Sequence, residues 1–276
     1  MDVAVMYAVI SSLIYSIENL IPKFLKRLDV LSITLLREIL ILMPLSFFYL
    51  FKMDRVAVAL ILLGVFTSFL PYYLFISGLR IGKIGVVSSF SQTHSLFASI
   101  FSWLFFEISI SFKLAVGLFL VITGLIIFNL KDLRDGVLNK GSIYGLMAAV
   151  MWGLQAVLLK QYFAQVSVGK ILFFTELGLF LGAIIYAFFN KHKLIVPKNL
   201  KEWSLLSFMA YGIMAALYFY LKAIEIASHP AIPLLVLSSI SVLSAVWAYL
   251  FLKERLDLHE VIGMAVVLSA IIITSF

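Results

Sequence analysis

The sequence predicts an all-α membrane protein whose ten transmembrane helices form two inverted five-helix repeats. Three observations support this prediction: an apolar composition, ten apolar runs and an internal repeat. Of the 276 residues, 63% are hydrophobic and 13% are charged, whereas a soluble domain carries about 25% charged residues. Lipid must therefore surround most of the chain. Ten helices of ~20 residues each use almost all of its length and leave no room for a soluble domain.

The ten runs are separated by charged residues, proline or glycine, and each is long enough for a membrane-spanning helix. Their continuous apolar character excludes a barrel of short alternating strands. The first run begins at Val3 without a preceding basic residue or a cleavage site, so we expect a retained helix and not a signal peptide. The predicted spans are 3–22, 31–51, 56–79, 85–106, 112–130, 142–162, 169–189, 203–224, 230–252 and 258–276.

The charges are concentrated in the short connections between these runs. The net charge of +7 fits cytoplasmic loops and anionic lipid headgroups, and we expect no nucleic-acid partner. The odd-numbered connections carry more Lys and Arg than the even-numbered ones, which predicts that they are cytoplasmic and that both termini lie outside. Because the chain has no cysteine, disulfides, thiolate metal sites and cysteine nucleophiles are excluded.

The second half of the chain repeats the first, which predicts two repeats at 1–138 and 139–276. Each half has five spans, an odd number, so the second half enters the membrane upside down relative to the first. In such inverted repeats the substrate site lies between the halves near the middle of the membrane. The matched pairs are Tyr7 and Tyr144, Tyr15 and Trp152, Glu18 and Gln155, Lys23 and Lys160 (137 residues apart), Glu38 and Glu176 (138 apart), and Glu107 and Glu254 (147 apart).

These motifs resemble the EamA domain family of the drug/metabolite transporter superfamily. The resemblance rests on the aromatic residue and lysine of each first span, the Tyr-x-x-x-x-Ala-Ile run from Tyr218, and the end of each fourth span. It covers nearly the whole chain and implies a ten-helix transporter with both termini inside, against the orientation that the charges predict.

Two departures from the family pattern lie in the middle of the membrane. Where the family has a proline thirteen residues before the end of the fourth span, this chain has His94 and Ser241. Where the small multidrug exporters of the superfamily have a proton-binding glutamate, it has Tyr15 and Trp152. The second departure argues against drug/proton exchange.

His94 is the first candidate for a substrate-binding residue. An ionisable group at mid-membrane is costly and points to a functional site, and histidine can change charge near physiological pH. Helical spacing places Ser91 on the same face. The alternative is a neutral histidine that is hydrogen-bonded between helices.

The first span of each half supplies further candidates. Tyr15 and Glu18 belong to a polar stripe at helical spacing, and Trp152 and Gln155 are their counterparts. Such a stripe suits the wall of a central cavity, whereas an aromatic belt at the membrane surface is the alternative. Glu18 lies close enough to the helix end to pair instead with Lys23 or Lys26.

The second span of each half carries buried charges. Arg37 and Glu38 are adjacent in sequence, so we expect them to project in different directions and not to form one simple pair. Glu176 repeats Glu38, which indicates a structural partner as much as a ligand. Arg37 has no counterpart, so it is the better candidate for binding an anionic group, although its side chain could also reach the membrane surface.

No phosphate loop, paired-carboxylate motif, nucleophile elbow or metal-ligand cluster is present in the sequence. We therefore expect no enzyme and no cofactor or metal. The expected function is secondary transport of a small metabolite, an amino acid or similar polar compound, in the cell membrane. A lipid flippase or a membrane-embedded sensor is the alternative. The oligomeric state stays open, a monomer included.

Overall fold

The structure, a computed structural model, describes residues 2–50, 52–131 and 140–275, and every regular element in these ranges is helical. The predicted boundary between the halves lies outside the described residues. The helices of the first half are α1 (Val3–Glu18), α2 (Ile21–Phe24), α3 (Val30–Tyr49), α4 (Arg55–Gly64), a π-helical turn (Val65–Phe69), α5 (Leu70–Ile81), α6 (Ile84–Ser91), α7 (His94–Phe106) and α8 (Phe112–Phe128).

The second half repeats this order, but its described residues contain neither a counterpart of the short helix α2 nor a π-helical turn. Several helices in both halves begin where an Asp, Ser or Asn side chain accepts a hydrogen bond from a first-turn N–H group, as at Asp29, Asp54, Ser167 and Asn199. The helices of the second half are α9 (Lys140–Lys160), α10 (Val168–Phe189), α11 (Leu200–Ile226), α12 (Ala231–Leu237), α13 (Ser239–Leu252) and α14 (Leu258–Ser275).

Seven helical stretches of the described residues are long and apolar enough to cross a membrane. The remaining apolar helices are shorter, namely α8 and α14, or interrupted, namely α6 and α7. The prediction of an all-α membrane protein is confirmed, whereas the count of ten spans stays a prediction. The seven stretches are Val3–Phe24, Val30–Tyr49, Arg55–Ile81, Lys140–Lys160, Val168–Phe189, Leu200–Ile226 and Ala231–Leu252.

The helices pack as expected for a two-fold inverted repeat. The first helix of each half packs against the third helix of the other half (α1 on α11, α9 on α5), and it also packs against the other half's fourth helix (α1 on α13, α9 on α7). The fifth helices, α8 and α14, pack on each other, and Lys131 at the end of one pairs with Asp257 before the start of the other. Their chains therefore run in opposite directions.

Two ends of the bundle can now be distinguished. The Lys23 end holds the last residue of α5 and the first residues of α9 and α11. The Lys160 end holds the last residues of α3 and α11 and the first residue of α4. Consecutive spans run alternately between these two ends.

Local backbone chemistry interrupts the third and fourth spans. Pro71 has no N–H group for the carbonyl four residues earlier, and the π-helical turn precedes it. The fourth span of each half is interrupted without a proline at the break, between Ser91 and His94 and at Ser238. These breaks shape the central cavity described next.

Candidate functional site

A cavity of about 140 Å³ lies at the centre of the bundle, between helices of both halves. Among the described residues, its wall combines ten aliphatic side chains, six of them from α10 and α11, with fourteen charged, polar and aromatic groups. A concave, mainly apolar site with a few converging polar groups is typical of small-molecule binding. The charged, polar and aromatic residues of the wall are Tyr15, Glu18, Asn19, Arg37, Ser68, Tyr72, Phe75, Gln92, His94, Trp152, Gln155, Thr175, Glu176 and Tyr220.

Arg37 lies between two carboxylates at this wall and is only 1% exposed. Its Nε donates to Glu38 Oε1 at 2.6 Å, and its Nη2 donates to the same oxygen and to Glu176 Oε2, the latter at 3.1 Å. The guanidinium carbon also lies 3.8 Å from the centroid of the Tyr72 ring. The protein therefore engages the Nε and Nη2 groups of this cation and one face of its guanidinium.

The prediction that Arg37 and Glu38 cannot form a simple pair is wrong. Adjacent helical residues do leave the backbone in different directions, but both side chains are long enough to bend towards each other. Burial makes this contact favourable, because an unpaired charge in this interior would be costly. Glu38 and Glu176, the matched residues of the repeat, hold the same guanidinium from opposite halves.

Glu18 is the carboxylate without a partner. It is 2% exposed, and neither of its carboxylate oxygens has a hydrogen-bond partner among the described residues. A Cβ atom built on Gly212 of α11 would overlap Glu18 Oε1, so the glycine provides the space for this carboxylate. The alternative pairing with Lys23 is absent, because Lys23 Nζ binds Glu254 Oε1 at 2.5 Å. Lys26 likewise forms no ion pair with a described residue.

Side-chain hydrogen bonds occupy the carbonyls at the break in the fourth span. His94 Nδ1 lies 2.8 Å from the Ser91 carbonyl oxygen, which a continuous helix would offer to the Ser95 N–H. In the second half, the Ser241 hydroxyl donates to the Ser238 carbonyl at 2.7 Å. His94 and Ser241 are the positions at which the family has proline, and here each side chain engages the carbonyl three residues earlier in the chain.

The geometry of His94 also indicates which tautomer its neutral ring adopts. Because a carbonyl oxygen only accepts hydrogen bonds, Nδ1 carries the hydrogen and Nε2 is the acceptor of the neutral ring. His94 lines the cavity, but Ser91 does not. Ser91 is fully buried behind it, where its hydroxyl donates to the Ser88 carbonyl and accepts from Gln92 Nε2. Ser91 thus supports the wall rather than forming it.

Tyr15 and Trp152, the matched aromatic residues of the first spans, both line the cavity and are partly buried. Trp152 packs edge-on against Phe75, with ring centroids 5.2 Å apart. Gln155 Nε2 donates to the Ser68 hydroxyl on the π-helical turn at 2.5 Å. The first and third spans are thereby joined across the two halves at the cavity wall.

Six of the seven predicted site residues line one cavity, and Ser91 does not. Sequence reasoning left four important residues out of the predicted site. Tyr72 and Tyr220 were two of several tyrosines without a distinguishing signal, and Gln92 adjoins His94 in sequence. Glu176 had a signal, since it repeats a buried glutamate of the first half, but the repeat was equally consistent with a structural role. The missed residues are Tyr72, Gln92, Glu176 and Tyr220.

Comparison with known proteins gives a match over both halves. The model of the EamA-like transporter family matches residues 2–130 and 139–276. No curated protein matches this chain. Among solved structures, one titled "Crystal structure of protein" matches with a TM-score of 0.75 and 15% identity, over 99% of this chain and 98% of that one. At this identity the likeness shows the fold alone.

Proposed function

Because the chain belongs to the EamA-like transporter family, we propose that it is a secondary transporter that moves a small polar metabolite across the membrane by alternating access. The observation that carries this proposal is the central cavity, whose wall is built from the first four spans of both halves. In inverted-repeat carriers the substrate site lies between the repeats, and rocking of one repeat against the other opens it to each side in turn.

The cavity wall supports a polar substrate of metabolite size. Aromatic rings provide apolar faces, while Glu18, Tyr72 and Gln92 each keep at least one buried polar atom without a hydrogen-bond partner among the described residues. Such atoms are costly unless a ligand or water binds them. An amino acid or a similar polar compound supplies both the polar groups and the apolar surface that this wall accommodates.

A lipid flippase or a membrane-embedded sensor remains the alternative function. A flippase needs a lateral path for acyl chains, whereas these polar groups lie between spans of both halves at the centre of the bundle. This placement favours a carrier of small molecules. We propose that the carrier works in the cell membrane and catalyses no chemical step.

Transport can be measured by counterflow of radiolabelled metabolites in proteoliposomes that contain the purified full chain. We expect exchange of at least one polar metabolite, and loss of most of it in Trp152→Ala. Trp103→Ala is the matched control, because Trp103 is 61% exposed on the outside of the bundle. Lipid scrambling without metabolite exchange would favour the flippase, and binding without exchange would favour the sensor.

A further inference from the structure

We infer that Glu18 binds the positively charged group of the substrate, so that the cavity selects organic cations and compounds with an ammonium group. The inference rests on the proposed transport function and names the substrate class of the same site. Its basis is a buried carboxylate that lines the cavity and has no hydrogen-bond partner among the described residues. An ionised carboxylate in such a place requires a counter-charge.

The protein itself supplies no cation for this role. Arg37 is the one cationic residue of the described cavity wall, and its Nε and Nη2 groups donate to two other carboxylates, Glu38 and Glu176. Together with Glu18, three carboxylates therefore face a single guanidinium. An anionic ligand would add to this negative charge, whereas a cationic ligand would compensate it.

The aromatic residues of the wall suit the same ligand. Tyr15 lines the cavity with Glu18, and Trp152 and Tyr220 line it from the opposite half. The faces of these rings carry negative electrostatic potential and attract organic cations. Because Gly212 has no Cβ, the α11 surface leaves the space that the Glu18 carboxylate occupies beside the cavity. A carboxylate together with aromatic faces is thus available for an ammonium group.

The test measures binding to the purified full chain in detergent by thermal unfolding, since a ligand that binds the folded state raises its stability. The probes are phenethylamine, L-phenylalanine, 3-phenylpropionate and tetraethylammonium. We expect stabilisation by phenethylamine and tetraethylammonium, none by 3-phenylpropionate, and at least tenfold weaker cation binding in Glu18→Gln. Glu225→Gln is the matched control, because its carboxylate pairs with Lys222 at the Lys160 end.

Gly212→Ala provides a second variant that keeps the charge but displaces the carboxylate, and it should also weaken cation binding. The inference is overturned if neither cation stabilises the protein, or if both stabilise wild type and Glu18→Gln equally. The proposed transport function fails separately: a protein that binds cations through Glu18 but exchanges no metabolite is not a carrier. Conversely, exchange of a neutral metabolite without cation binding keeps the carrier and removes the role of Glu18.

A second observation concerns the ends of the bundle. We propose that Lys23–Glu254 and Lys160–Glu107 are two alternative closing ion pairs, one for each end, of which this structure contains the first. Lys23 and Lys160 are matched residues of the repeat, and so are Glu254 and Glu107. Each proposed pair therefore joins the first span of one half to the fourth span of the other half. This proposal also rests on alternating access.

Only the pair at the Lys23 end is formed. Lys23 Nζ binds Glu254 at 2.5 Å across the two halves. At the other end, Lys160 Nζ instead donates to the carbonyls of Ile224, Glu225 and Ala227, at 2.7 to 2.9 Å and within its own half. Glu107 is exposed and forms no ion pair with another described residue.

The helices that carry the unformed pair already pack together. Ser244 donates to the Ser16 carbonyl where α1 meets α13. At the matched position, a Cβ atom built on Gly153 of α9 would lie 2.7 Å from Phe97 Cβ of α7. Lys160 lies seven residues beyond Gly153, and Glu107 lies ten beyond Phe97. At ~1.5 Å per residue, the positions of Lys160 and Glu107 along the helix axes differ by only about 5 Å, which is within reach of a lysine side chain.

The other ion pairs between the halves indicate which end is closed. Among the described residues, three further ion pairs join the halves at the Lys23 end, and one, Lys170 with Asp54, joins them at the Lys160 end. Partly exposed ion pairs contribute little net stability, so exchanging one pair for its counterpart costs little. The three pairs are Arg27–Glu202, Lys83–Glu260 and Lys131–Asp257. His192 Nε2 also lies 3.3 Å from Asp29 Oδ1 at this end.

Disulfide cross-linking tests this proposal directly, because the chain has no native cysteine. The variants Lys23→Cys/Glu254→Cys and Lys160→Cys/Glu107→Cys are reconstituted as the full chain and oxidised. We expect both to cross-link, and each disulfide to reduce metabolite exchange at least tenfold until a thiol reagent restores it. The control Lys170→Cys/Glu107→Cys combines residues of the same end that are not proposed partners.

The proposal is overturned if Lys160→Cys/Glu107→Cys cross-links no faster than the control, or if its disulfide leaves exchange unchanged. Charge reversal distinguishes a Lys160 that forms a closing ion pair with Glu107 from a Lys160 that only stabilises the end of α11. Lys160→Glu and Glu107→Lys should each lower exchange, and their combination should recover at least half of it. If Lys160 only holds the end of α11, the combination recovers nothing. Cross-linking needs no substrate, so its failure is distinguishable from a failure of the transport assignment.

Discussion

Replacing Arg37 with methionine should destabilise this protein far more than replacing either carboxylate that binds it. The Arg37 side chain is 1% exposed and makes contacts with Glu38 and Glu176. Methionine fills much of the same volume but carries no charge. The variant therefore leaves two buried carboxylates near each other without a counter-charge.

The magnitude follows from the geometry. At the 3.1 Å separation of Arg37 Nη2 and Glu176 Oε2, the Coulomb attraction is about 5 kcal/mol for an effective dielectric constant of ~20. Removing one partner of a buried ion pair costs about 3–5 kcal/mol, because the other charge is left uncompensated. Glu176→Gln leaves the Arg37–Glu38 pair balanced and can keep one hydrogen bond, so its cost should be about 1 kcal/mol.

The assay is equilibrium unfolding of the purified protein in mixed micelles with increasing sodium dodecyl sulfate. Arg37→Met should lower the free energy of unfolding by at least ~2 kcal/mol more than Glu176→Gln does. The triple variant Arg37→Met/Glu38→Gln/Glu176→Gln should recover most of that loss, since it buries no unpaired charge. Equal losses for Arg37→Met and Glu176→Gln, or a triple variant as unstable as Arg37→Met, would refute this reasoning.

Three further predictions concern packing, a helix break and acid stability. Gly178→Ala should lower the free energy of unfolding by about 1–3 kcal/mol, because its methyl group would overlap the Ile61 carbonyl oxygen; an unchanged unfolding midpoint would contradict this. His94→Ala should cost about 1 kcal/mol through its lost hydrogen bond, whereas His94→Gln keeps a donor and should cost less in the same assay. The hydrogen bond from Lys170 lowers the pKa of Asp54 in the folded state. Its stabilising contribution is therefore complete above the unfolded-state pKa of ~3.9, and it is lost as the pH falls through the lower folded-state pKa. Asp54→Asn should therefore flatten the decline of unfolding midpoints between pH 6 and pH 3, and an unaltered decline would exclude this contribution.

Much of the architecture follows from the sequence, because its causes are local or periodic. A long apolar run must satisfy its own backbone hydrogen bonds in lipid, so it becomes a helix wherever it lies. The odd number of spans that the sequence predicts for each repeat predicts the inversion, and matched spacing identified Tyr15 with Trp152 and Lys23 with Lys160 before any packing was known. The matched residues of the predicted site, namely Tyr15, Glu18, Trp152 and Gln155, all line the central cavity.

Only the tertiary structure decided which charges meet. Helical spacing placed Arg37 and Glu38 on different faces, yet burial drives their long side chains together. For Glu18 the sequence left two alternatives, the cavity wall or a pair with a lysine; Lys23 binds Glu254 of the other half, and the Glu18 carboxylate lines the cavity without a partner among the described residues. These outcomes depend on contacts such as Arg37 with Glu176 and Lys23 with Glu254, which join residues 139 and 231 positions apart. The sequence shows which residues of the two repeats are equivalent, whereas the free energy of a buried charge depends on the groups that surround it in the folded protein.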